Sequence, residues 1–86
     1  MQYKIEYNKN AINSLRRLPR NIASLVEKKI ELLAQNPYAK NNNALKLQGR
    51  DGYRLRVGDL RVFYKIEDDI LVVIVVDIKF RGGAYQ

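Results

Sequence analysis

From Tyr53 to Ile66 apolar and basic side chains alternate with a period of two, and the alternation is broken only at Gly58-Asp59. Period-two patterning is the mark of strands with one buried and one open face, and two turn-forming residues between such runs predict a tight hairpin. The hairpin puts Val57 across from Leu60 and Arg56 across from Arg61. Tyr53, Leu55, Val57, Leu60, Val62, Tyr64 and Ile66 then share one side. Arg54, Arg56, Arg61, Phe63 and Lys65 share the other. Whatever the fold, it must cover the first side and leave a basic second side.

The remainder of the chain provides the cover. Tyr3, Ile5 and Tyr7 alternate with Lys4 and Glu6 in a short first strand. Asn8 is a suitable cap for a helix carrying Ala11, Ile12, Leu15 and Leu18 on one stripe, which Pro19 stops. A second helix follows, with Ile22, Leu25, Val26, Ile30 and Leu33 inward and Glu27, Lys28 and Glu31 outward, until Asn36-Pro37 ends it. Residues 37–44, PYAKNNNA, have no periodicity and read as a mobile connection. Strand-like runs then occupy Leu45–Gln48, Tyr53–Val57, Leu60–Ile66 and Ile70–Asp77. The expected fold is α+β, in the order β-α-α-β-β-β with a small extra strand at 45–48. A helical hairpin lies on one face of a mostly antiparallel sheet, in a single domain spanning 1–86.

Composition narrows the chemistry. The 86 residues include no Cys and no His, which removes disulfides, thiolate zinc sites, cysteine nucleophiles and the commonest metal ligand and general base. No metal and no cofactor are expected. The longest apolar run, Ile70–Val76, falls far short of the ~20 residues of a membrane helix, and MQYKIEYNK has no apolar signal core. A cytoplasmic location without membrane contact is the expectation. Sixteen Lys and Arg against nine acids give a net charge of +7 and point to an anionic partner.

The placement of that charge makes nucleic acid the better partner. Arg56 opposite Arg61 sets like charges in direct register, a cost that a sheet face with nothing to bind would avoid. The alternative is a solvated face with arginines lying over Phe63. Lys46 and Arg81 are placed to reach the same concavity. Arginine holds phosphate oxygens bidentately and stays charged, so such a face can orient an RNA backbone for attack by its own 2′-hydroxyl and stabilise the phosphorane. Tyr85 is a candidate proton donor or base-stacking group, or else a packing anchor.

Residues 45–76, LKLQGRDGYRLRVGDLRVFYKIEDDILVVIVV, and 80–85, FRGGAY, resemble the RelE/ParE superfamily of type II toxin–antitoxin toxins, and more closely its RelE branch. The shared pattern is Leu-Lys-Leu-x-Gly, then Tyr-Arg-x-Arg-Val-Gly-Asp-x-Arg, then an Arg shortly before a terminal Tyr. The resemblance implies a ribosome-dependent endoribonuclease, an mRNA interferase that acts in the ribosomal A site and is neutralised by a cognate antitoxin. The antitoxin would carry any operator DNA binding of the complex. It also implies that Arg54, Arg56, Arg61, Arg81 and Tyr85 form the catalytic set, with Lys46, Arg50 and Lys65 contacting RNA. Where some members have a lysine pair, one thought to be the base, this chain has Arg54 and Arg56. It has Gln48 and Phe80 where basic residues are common. Two other readings stand beside this one: a ParE-like gyrase poison, and a catalytically weak antitoxin-binding module.

Overall fold

Asn8 ends the first strand and begins the first helix. Its side-chain oxygen accepts the Ala11 N–H at 2.9 Å, satisfying one of the unpaired donors of the helix start. In the computed structural model, which describes residues 2–80, the elements run β1 (Lys4–Tyr7), α1 (Lys9–Arg17), α2 (Arg20–Gln35), β2 (Ala44–Lys46), β3 (Tyr53–Val57), β4 (Leu60–Glu67) and β5 (Val72–Phe80). Arg81 and Tyr85 lie outside the described residues. Pro19, which cannot donate, caps α2 with its carbonyl, accepting from Ile22 and Ala23. No helix among the described residues is long and apolar enough to cross a membrane.

The five strands form one sheet in the order β1-β5-β4-β3-β2; β1 runs parallel to β5 and every other pair is antiparallel. The expected α+β architecture is the observed one, with the small strand after the connection at Ala44–Lys46 and not at 45–48. Both helices pack on one face. Ala11 of α1 and Val26, Ile30, Leu33 and Ala34 of α2 meet Leu55, Val57, Leu60, Val62, Tyr64, Val73, Val75 and Ile78. The stripe on α2 is rotated from the expected one, so that Leu25 is exposed and Ala34 buried; on α1, Ile12 is exposed too.

Two expectations about connections need correction. The last strand begins at Val72 and not at Ile70, because residues 68–71 make the turn: Leu71 has φ 53° and its N–H reaches the Asp68 carbonyl. Ile70 is left 64% exposed. The strand also continues to Phe80, paired with Leu60. The connection after α2, read as mobile, is pinned at its start. Pro37 is buried, and the Tyr38 hydroxyl donates to Asp68 Oδ2 at 2.7 Å while Tyr3 donates to Oδ1 at 2.8 Å. Those bonds, Tyr38 first, hold the Asp68 carboxyl below the usual carboxylate range. The same bonds push both phenols up. Tyr38 meets Tyr53 edge-on at 6.5 Å, and Tyr53 stacks on Tyr64 at 5.4 Å, which closes the core at that end.

Candidate nucleic-acid interface

The face of the sheet away from the helices is laid out by strand register. Arg56 pairs with Arg61, and Arg61 with Lys79, so three cations stand in one row across β3, β4 and β5. The next row is Arg54, Phe63 and Asp77. Arg56 gives its N–H outward to the Asn43 carbonyl at 2.8 Å, so its pair with Arg61 is of the non-hydrogen-bonded kind, in which side chains lie closest. Among the described residues Arg54, Arg56 and Arg61 form no ion pair; Lys79 alone has a carboxylate nearby, Asp77 at 3.6 Å.

A bulge in β5 builds the right-hand end of both rows. Phe63 pairs with Asp77 but Tyr64 pairs with Val75, leaving Val76 as the extra residue. Before it Val73 and Val75 point into the core; after it Ile78 does. The change of parity delivers Asp77 and Lys79 to the open face. Neither was singled out from sequence. The signal was present in the phase of the apolar residues, since Val73 and Val75 are odd and Ile78 even.

Of the RNA-contact candidates, Arg50 and Lys65 belong to this face. The Arg50 guanidinium lies 5.2 Å from the Phe63 ring centroid, and both cations border a cavity of about 550 Å³. Its wall includes Asn8, Leu47, Asp51, Asp77 and Lys79. Gly52 lets the 47–52 segment approach: its φ is 112°, and a Cβ there would stand 3.0 Å from the Tyr64 carbonyl oxygen. Lys46 is placed otherwise than expected. It is the register partner of Tyr53, which packs on the core, so Lys46 takes the helix side and Leu45, opposite Arg54, takes the basic side. A one-residue difference in parity at a three-residue strand reverses the face. Arg81 and Tyr85 lie outside the described residues.

The helical hairpin covers one face of the five-stranded sheet and leaves free the face on which Arg54, Arg56 and Arg61 form no ion pair among the described residues. Residues 5–85 match the family model for the ParE toxin of type II toxin–antitoxin systems. A curated protein of Methanocaldococcus jannaschii, "Putative toxin RelE1", is 34% identical over all of this chain and 98% of its own length. Among solved structures, the archaeal RelE–RelB complex from Pyrococcus horikoshii aligns at a TM-score of 0.82 and 28% identity, over 98% of this chain and all of that one. The intact Escherichia coli RelBE complex aligns at 0.77 and 22% identity over 93% and 96%, a likeness of fold. The chain belongs to the RelE/ParE superfamily of type II toxins, on its RelE-like branch.

Proposed function

We propose that this protein is an mRNA interferase, cutting messenger on the ribosome through the open face of its sheet and silenced by a cognate antitoxin. The row Arg56, Arg61, Lys79 carries the reading, since three cations in direct register with one carboxylate among them suit a phosphate backbone better than water. In the reaction the 2′-oxygen attacks the adjacent phosphorus, its proton passes to a base, and the 5′-oxygen leaves with a proton from an acid. The products are a 2′,3′-cyclic phosphate and a 5′-hydroxyl. Arg56 and Arg61 neutralise the phosphorane, Arg54 and Arg81 steady the flanking backbone, and Arg50 and Lys65 contact RNA. Tyr85 supplies the acid or stacks on a base. Lys79 adds the third positive charge of the row beside the phosphorane.

The ribosome supplies what a shallow face lacks, alignment of the 2′-oxygen, phosphorus and leaving oxygen. A gyrase-poisoning role would need no such row, and no feature of the described residues favours it. For the antitoxin, a second groove of about 290 Å³ between α2 and the 36–43 connection is lined by Leu32, Leu33, Lys29, Lys40 and Arg56. Apolar residues ringed by cations suit an acidic amphipathic segment, and Arg56 belongs to both surfaces, so an occupant there would also mask the catalytic row. The similar structures from P. horikoshii and E. coli are complexes of RelE with RelB, which supports this partner class.

Primer extension on a defined messenger in a reconstituted translation reaction tests the reading. Cuts within codons only when ribosomes are present support it; intact messenger with toxic protein would move the account to the gyrase alternative.

A further inference from the structure

The cavity in front of Phe63 has a composition that phosphate binding does not explain. Arg50, Lys65 and Lys79 suit a phosphate, but Asp51 and Asp77 line the same space, and a carboxylate beside a phosphate is repulsive. Phe63 is also the sole described aromatic on this face; Tyr3, Tyr7, Tyr53 and Phe80 pack against the core and Tyr38 against Tyr53. Its ring is half-buried, and its outer neighbour is a guanidinium held by a loop that Gly49 and Gly52 allow to turn. Asp77, on the adjacent strand in the same row, spends Oδ1 on the Ile78 N–H at 2.9 Å. Its Oδ2 has only the Lys79 ammonium at 3.6 Å, beyond hydrogen-bonding distance, and so keeps its accepting capacity.

We propose that this cavity is a nucleobase slot, in which a base displaces the Arg50 guanidinium from over the Phe63 ring, stacks on that ring and donates its exocyclic amino N–H to Asp77. The inference rests on the RNA-cleaving reading and adds a base preference to it. Stacking tolerates any base, because every base has a π-face. Asp77 does not: an ionised carboxylate only accepts, so cytosine and the other amino-bearing bases can satisfy it, while uracil presents O4, an acceptor, at the corresponding position. Lys65 and Lys79 border the slot and take the phosphate of the same nucleotide. The volume of about 550 Å³ admits a nucleotide and not just an ion.

Cytidine and uridine monophosphate make a matched pair of probes, equal in ring size and phosphate and different at the amino group. Titrated into the full chain and followed by NMR, CMP should bind at least about threefold more tightly than UMP. The largest shifts should fall on the Phe63 ring and the Asp77 amide. Asp77→Asn, whose amide can donate to uracil O4, should abolish or invert the preference. Phe63→Leu should weaken both ligands and Phe63→Tyr should restore them. Equal affinity of the wild type for CMP and UMP, or unchanged affinities in a folded Phe63→Leu protein, would overturn the slot. Messenger cleavage on ribosomes without any CMP preference would refute the slot and leave the nuclease standing. CMP preference without cleavage would refute the nuclease and leave the slot.

Discussion

Arg56 and Arg61 face each other directly across the β3–β4 hairpin, with Lys79 next in line on β5. Like charges so placed cost the fold some tenths of a kcal/mol, and added salt screens them. The melting temperature should therefore rise as salt increases from about 10 mM to about 150 mM. Arg56→Glu, which turns one repulsion into an attraction, should raise the low-salt melting temperature and flatten the rise while weakening ribosome binding. Calorimetry at both salt levels checks this, and a variant that melts lower than wild type in low salt would contradict the strain assigned to the row.

The clasp of Tyr3 and Tyr38 on Asp68 makes stability depend on pH in a definite direction. The Asp68 carboxyl is lower in the folded chain than its ordinary value of 3.8, so its contribution is fully present above that value and fades as pH falls through the folded one. The phenols behave oppositely: raised above 10.0, they support the fold below that value, and their support is lost as pH climbs through their folded values. Asp68→Asn should lower the neutral-pH melting temperature and reduce the loss of stability below pH 4. Parallel acid titrations of the two proteins would reveal identical slopes if the clasp were unimportant.

Tyr64 is 1% exposed, and its hydroxyl finds no partner among the described residues. Burial, then the neighbouring Tyr53, pushes that phenol up to about 12. An unpartnered buried hydroxyl costs about 1–3 kcal/mol, so Tyr64→Phe, which keeps the ring stacked on Tyr53, should stabilise the protein by about 1 kcal/mol. That corresponds to roughly 4–8 °C in melting temperature for a domain of this size. A lower melting temperature would show that the hydroxyl is satisfied after all.

Gly52 and Gly49 both have positive φ, but only at Gly52 would a Cβ meet backbone, 3.0 Å from the Tyr64 carbonyl oxygen. Gly49→Ala should cost about 1 kcal/mol for its conformation alone, and Gly52→Ala more than that. Because the strained segment carries Arg50, Gly52→Ala should also shift the Phe63 ring resonances. Chemical denaturation and a one-dimensional NMR spectrum test both; equal destabilisation by the two substitutions would argue against the close approach.

Much of this was legible in the residues themselves. Alternation from Tyr53 to Ile66 and the Gly58-Asp59 turn fix the hairpin register, and register alone brings Arg56 to Arg61. Asn8 declares its helix because a cap is a local device. What stayed hidden depends on contacts far apart in sequence. Lys79 and Asp77 reach the open face only through the Val76 bulge, whose position answers to β4 as much as to β5. The face taken by Lys46 depends on pairing with Tyr53 across a turn rich in glycine, where one residue of slip exchanges inside and outside. Likewise, the pinning of the connection at Tyr38 needs Asp68, 30 residues away.

The central claim is that the row on the free face cuts RNA, and the most direct measurement is single-turnover cleavage of messenger on programmed ribosomes by a panel of folded variants. Arg56→Ala, Arg61→Ala and Lys79→Ala should each lose about 10²-fold or more, the scale of removing one preorganised stabiliser of transition-state charge. Lys46→Ala, on the opposite side of the sheet, should lose far less. Full activity in the three row variants, or an equal loss in Lys46→Ala, would contradict the account.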